Sequence, residues 1–174
     1  MELIRQRRDG TIMTTDSIDD LFVEGLQELY YAEQQLVDAL ETLAEQTDDE
    51  TASQAFSEHR DETQEQVDRL EQVFEQIGEE ARTREEQVVK ALIDEHEQFA
   101  QENDGDVLDR YNMGIGQKTE HYEIAAYGNL ASLAQKTGRD DAAEMLAETL
   151  REEEEALEEV TEASEQFDEE QVAD

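Results

Sequence analysis

The chain has 174 residues, with no proline, no cysteine and eight glycines, a length that allows one domain with a buried core. Fifty Asp and Glu against thirteen Lys and Arg give a net charge of −37, which argues against nucleic acid or an anionic membrane as partner, since both require cationic surface. The lack of cysteine excludes disulfides, thiol catalysis and thiolate metal sites.

Residues 1–15 carry Arg5, Arg7 and Arg8 but not the apolar run of a signal peptide, and read as a disordered lead-in, with Met13 a possible alternative start. Thr15-Asp16-Ser17 then offers caps for a first helix over 18–44, whose stripe is Phe22, Leu26, Leu29, Glu33, Leu36, Val37, Leu40 and Leu43. A turn at Thr47-Asp48-Asp49 leads to a second helix over 50–77, with Ala52, Ala55, Phe56, His59, Thr63, Val67, Leu70, Val73, Phe74 and Ile77 inward and Gly78 as its stop. The connection 79–106 contains a shorter helix over 85–100 and ends on the turn signal Asn103-Asp104-Gly105. A third main helix spans 106–136 and a fourth 140–167, leaving 168–174 as an acidic, fraying tail.

Two helices, a long connection with its own helix and two further helices make an all-α fold. The arrangement is a ferritin-like four-helix bundle over 16–167, with one long crossover connection containing an extra helix. A simple up-down array is disfavoured because its loops run to about 2–8 residues. The crossover helix presents Val88, Val89, Leu92 and Phe99, which suggests a homodimer; docking on its own bundle is the alternative. No apolar run is long enough to span a membrane, and a cytoplasmic location is expected. With only Lys90, Lys118 and Lys136 as lysines, the composition resembles that of proteins from salt-loving microbes. Helical ellipticity is expected to fall on desalting, as surface self-repulsion loses its screening.

In so acidic a chain the informative carboxylates are those standing where a hydrophobic residue belongs, because an unpaired buried carboxylate costs several kcal/mol. Glu33 stands mid-stripe, with Leu26 and Leu29 before it and Leu36, Val37 and Leu40 after. His59 follows Phe56 on the second stripe, and Glu62 shares its face. Glu120 and Glu123 share a face with Gly116, Tyr127, Leu130 and Ala134, and Glu153 lies among Leu146, Leu150, Leu157 and Val160. Any one of these is more readily a boundary residue on a stripe misphased by one position. Together they put five carboxylates and one imidazole at mid-length on four helices, the ligand chemistry of a di-iron or di-manganese site. His96 reads as solvent-facing on the crossover helix. His121 points away from Glu120, and Glu28 lies off the stripe. Tyr30, Tyr122 and Tyr127 read as core tyrosines with a bonded hydroxyl.

The segments Leu29-Tyr30-Tyr31-Ala32-Glu33, His59 with Thr63 and Arg69-Leu70-Glu71, Glu120-His121-Tyr122-Glu123-Ile124-Ala125-Ala126-Tyr127, and Leu150 to Glu154 resemble the YciE/YciF family of ferritin-like proteins over roughly 18–167. Glu120-x-x-Glu123 is more distantly similar to the third-helix glutamates of rubrerythrins. The resemblance implies a ferritin-like fold, a homodimer, a stress-related role and a two-metal centre of iron, or else manganese. It implies ligand roles at the matching positions Glu33, His59, Glu62, Glu120, Glu123 and Glu153. In that picture Glu33 and Glu153 flank the metals, Glu62 and Glu120 bridge them, and His59 binds one terminally. The second helix reads His-x-x-Glu rather than Glu-x-x-His, and Ala156 stands where a second such motif would place its histidine, so nitrogen ligands are few. Three functions follow: a di-metal oxidase or peroxidase fed by an external electron donor, metal storage or buffering, and a metal-free helical interaction module.

Overall fold

The computed structural model describes residues 15–173, whose regular structure is entirely helical. The elements are α1 (Ile18–Gln46), α2 (Glu50–Ile77), α3 (Gln87–Ala100), α4 (Gly105–Lys136) and α5 (Asp140–Ala173). Ser17, in extended backbone, starts α1 by accepting a hydrogen bond from the Asp20 amide at 3.0 Å, and Asp49 does the same for α2 with the Ala52 amide at 2.9 Å. Gly78 ends α2 at φ 73°, a left-handed conformation that glycine adopts without steric cost. The expected boundaries hold within two residues except at the C-terminus, where α5 continues through the stretch expected to fray. Phe167 is buried there, and Arg110 of α4 donates to both Asp168 oxygens at 2.7 and 3.1 Å, so the last turns are anchored rather than free. The expected disordered lead-in, apart from Thr15, lies outside the described residues.

Side-chain pairs fix the topology. Tyr30 to Glu71 and Ser53 to the Ala44 carbonyl set α1 antiparallel to α2. Arg69 to Glu152 and Gln76 to Met145 set α2 antiparallel to α5. Gln117 to Thr161 and Arg110 to Asp168 do so for α4 and α5, and Tyr127 to Glu33 and Asn112 to Thr47 for α4 and α1. Helices α2 and α4 therefore run parallel, which is possible only because the crossover 78–104 carries the chain back along the bundle. This is the ferritin-like arrangement.

The crossover is pinned by the Arg84 amide, which donates to the Gln27 carbonyl at 3.0 Å. Helix α3 then packs on α1 and α4. Val89 is buried against Ala32 and Leu36, and the Phe99 ring stacks on Tyr111 at 3.7 Å. Of the four apolar residues expected to face a second copy, Val88 alone is exposed, at 50%. The apolar face of α3 is thus largely spent on its own bundle. His96, expected to face solvent, is buried: its Nε2 lies 2.9 Å from Asn112 Oδ1, and Asn112 donates to Thr47 Oγ1 at 3.0 Å. The cause is phase, because His96 stands seven residues after Val89 on the docked face.

The core is split. One apolar cluster joins Phe22, Leu26, Leu29, Leu70, Phe74, Leu130 and Leu146; a second joins Leu40, Leu43, Phe56, Met113, Ile115, Val160 and Phe167. Each such buried side chain contributes roughly 1.5–3 kcal/mol. Between the clusters every main helix passes through a polar layer. Among the described residues no helix is long and apolar enough to cross a membrane.

Candidate metal centre

The polar layer is built from Glu33 of α1, His59 of α2, Glu120 and Glu123 of α4, and Glu153 of α5. The three-residue spacing of Glu120 and Glu123 puts both on one face of α4. Donor atoms of His59, Glu120, Glu123 and Glu153 all lie within 4.8 Å of one another. His59 Nε2 is 3.2 Å from Glu120 Oε1 and 3.8 Å from Glu153 Oε2. Glu33 joins beside Glu123, and the Tyr127 hydroxyl donates to Glu33 Oε1 at 2.5 Å.

The four carboxylates are buried, Glu33 and Glu153 completely, and His59 is nearly so, its side chain 11% exposed. Yet Glu33 Oε2, His59 Nδ1, Glu120 Oε2, Glu123 Oε1 and both Glu153 oxygens make no hydrogen bond. Burial pushes the Glu33 carboxyl up to about 7, against the partial relief of the Tyr127 hydrogen bond. Burial and the surrounding carboxylates hold Glu123 and Glu153 well above the usual carboxylate range. Burial works against a charged His59, but the adjoining Glu120, Glu62 and Glu153 carboxylates outweigh it and raise the imidazole well above its ordinary value. Without a cation the layer therefore keeps protons that water would remove.

The residues fit a metal. Ligand distances of about 2.0–2.6 Å allow two atoms on one ion to stand no more than about 4–5 Å apart, which the four-residue set meets. Carboxylate oxygens with one imidazole suit manganese and iron rather than thiophilic metals. Glu33, with a free oxygen beside Glu123, extends the set toward a second ion.

Five of the six expected ligands come together. The sixth, Glu62, stands at the rim, its side chain 43% exposed and 3.6 Å from His59 Nδ1. Glu28 is half-buried beside Arg84, His121 is exposed, and Tyr30 bonds Glu71 away from the layer. A second polar layer, one step along the α2–α5 seam, was not foreseen. Arg69 donates to both Glu152 oxygens at 2.6 and 2.9 Å and to Thr149 at 2.6 Å, and Gln66 donates to Glu152 at 3.2 Å. Gln66, seven residues after His59 and four before Leu70, was the available signal: an amide where the stripe asks for an apolar residue.

Several known proteins share this architecture. Protein YciF of Escherichia coli (strain K12) is 41% identical over 143 residues, covering 81% of this chain and 86% of its own length. The crystal structure of the E. coli stress protein YciF superimposes with a TM-score of 0.79 at 36% identity, covering 88% of this chain and 98% of that one. YcfI from Rhodopseudomonas palustris gives 0.82 at 36% identity, covering 86% and 98%. A protein from Xanthomonas campestris, at 22% identity and a TM-score of 0.72, shares the fold. Residues 17–173 match the family described as a domain of unknown function, DUF892, and the chain belongs to that family.

Proposed function

We propose that the mid-bundle layer binds two divalent metal ions, iron or manganese, and that the iron-loaded protein reduces peroxide or dioxygen in a stress-protective role. One observation carries the reading: buried carboxylates from three helices and an imidazole from the fourth converge with donor atoms that nothing else satisfies. Packing alone would favour Leu at these positions, since each unpaired buried carboxylate costs several kcal/mol. Glu33, Glu120, Glu123, Glu153 and His59 would hold the metals. The stress role rests on the E. coli relative, which is described as a stress protein.

When bound, two Fe(II) ions supply the two electrons that, with two protons, convert hydrogen peroxide to two waters. The chain's own groups do the rest. The Tyr127 hydroxyl orients Glu33, and its own proton is held tightly by burial beside that carboxylate. His59 keeps a proton among Glu120, Glu62 and Glu153 in the metal-free protein and releases it when it becomes a ligand. Re-reduction requires an external donor, because the chain has no cysteine for an iron–sulfur or rubredoxin-type centre of its own. A cavity of about 20 Å³ beside His59 and Glu120 has room for an ion but not for a mineral, so storage would require a shell of many copies. A homodimer belongs to the same reading and is tested by sedimentation in high salt.

The test is the metal content of protein purified in high salt without chelator, beside a Glu33→Ala, Glu120→Ala double variant. About two equivalents in the parent, lost in the variant, with peroxide consumption that follows the iron, support the reading. A parent that holds no metal and takes up neither Fe(II) nor Mn(II) removes it.

A further inference from the structure

The buried layer has to be reached by its ions, and the clefts of the bundle differ in where they lead. The cleft between α1, α3 and α4, about 260 Å³, mixes apolar residues such as Leu36, Leu40 and Leu92 with Asp38 and Glu97 and reaches His96, but none of the cluster residues. The α2–α5 seam is different. An open groove of about 400 Å³ carries Glu58, Asp61, Glu62, Glu65, Glu155 and Glu159 and no lysine or arginine. Beneath it lies the cavity of about 20 Å³, room for roughly one water or ion. His59, Ala156 and Glu159 line both spaces. Glu120 closes the inner end, its side chain only 4% exposed and its Oε2 without a partner.

Acidity alone decides nothing on a surface this acidic. The seam is singled out by the gap that Ala55 and Ala156 leave in it and by the orphaned Glu120 oxygen at its end. One layer further along, Arg69 and Glu152 bridge the same two helices and close them. We infer that the α2–α5 seam is the path by which divalent cations reach the buried cluster, with Glu58, Glu155 and Glu159 collecting them and Ala156 leaving the gap they pass. This inference rests on the two-metal reading. Cations drawn by the groove carboxylates lose water stepwise to Glu159 and His59 before Glu120 receives them, so the path governs the rate of loading and not its extent.

The experiment follows Co(II) binding to the full chain by stopped-flow quenching of tyrosine fluorescence, since the chain has no tryptophan. It is run at the lowest salt that preserves the helical circular dichroism. Glu58→Gln, Glu155→Gln and Glu159→Gln combined should slow uptake about tenfold, an effect that shrinks in molar salt, while the bound stoichiometry stays at the parent's value. Ala156→Leu should slow it at every salt concentration. A control with Glu75→Gln, Glu79→Gln and Glu144→Gln removes as much charge at the other end of these two helices, away from the groove, and should leave the rate near the parent's. Parental uptake rates in the seam variants, or equal slowing in the control, overturn the path while leaving the metal centre standing. If Ala156→Leu does not fold, the charge variant and its control still decide. A parent that binds no Co(II) at equilibrium overturns both the two-metal reading and the path.

Discussion

Glu152 and Glu153 are neighbours in sequence on α5 and occupy opposite electrostatic situations. Burial pushes the Glu152 carboxyl up, but hydrogen bonds from Arg69 and Gln66 outweigh it and leave the group below the usual range. Glu153 is fully buried, neither of its oxygens is bonded, and its carboxyl is driven well above that range. The same two helices thus pass through a layer in which an arginine bonds both oxygens of its carboxylate and, one step along, through a layer in which one imidazole faces several carboxylates and bonds neither oxygen of Glu153. The contrast teaches that this chain can neutralise a seam carboxylate where structure requires it. The unbonded oxygens of Glu153, Glu123 and Glu33 are consistent with a cation that comes from outside the chain.

The largest effect expected from this contrast is on stability. Mn(II) at a thousandfold excess over its dissociation constant should raise the unfolding free energy by about 4 kcal/mol, read by thermal melts with metal and with chelator. No shift in the melt would break the comparison. Next come two substitutions of opposite sign. Arg69→Ala strands Glu152 in a half-buried pair and should cost about 1–3 kcal/mol, between the values for exposed and buried pairs. Glu153→Gln replaces a carboxyl that the metal-free fold must hold protonated and should stabilise that form by about 1–3 kcal/mol while abolishing the response to metal. Denaturant unfolding of both without metal checks the signs, and destabilisation by Glu153→Gln would contradict the account.

The pH dependence sharpens the same point. The Glu33 carboxyl stands at about 7 in the fold against an ordinary 4.5, so between those values the folded state holds the more protons. Its contribution to the stability of the metal-free protein is fully present below about 4.5 and is lost as pH rises through about 7. Glu33→Gln should flatten that part of the stability–pH profile, and an unchanged slope would count against the assignment. The smallest effect belongs to the closed end of the bundle. A Cβ on Gly25 would stand 2.7 Å from Leu130 Cδ2, a terminal methyl that can shift. Overpacking of about 1–3 kcal/mol is then partly offset by about 1 kcal/mol of helix propensity, so Gly25→Ala should destabilise by no more than about 2 kcal/mol with metal binding intact.

The bundle was legible because the long helices carry stripes at helical spacing and clear punctuation at Ser17, Asp49 and Gly78. Five cluster residues were legible for the same reason: Glu33 and Glu153 interrupt apolar stripes, and an interruption repeated on every main helix is hard to produce by misphasing. Glu62 shares a helical face with His59, and spacing alone does not show that its side chain stands at the rim. His96 was misread because the docking of α3 onto α1 and α4 is a tertiary event. The Arg69–Glu152 bridge was missed because Glu152 stands in a run of glutamates whose individual directions no periodicity resolves.

The central claim is a pair of metals held close together by Glu33, Glu120, Glu123, Glu153 and His59. It is tested most directly by electron paramagnetic resonance during an anaerobic Mn(II) titration of the chelator-treated protein. The account predicts that the six-line signal of free Mn(II) stays suppressed up to about two equivalents, replaced by the broad spectrum of two exchange-coupled ions, and that Glu123→Gln with Glu153→Gln abolishes this. Free Mn(II) from the first addition, or bound ions that never couple, would contradict it.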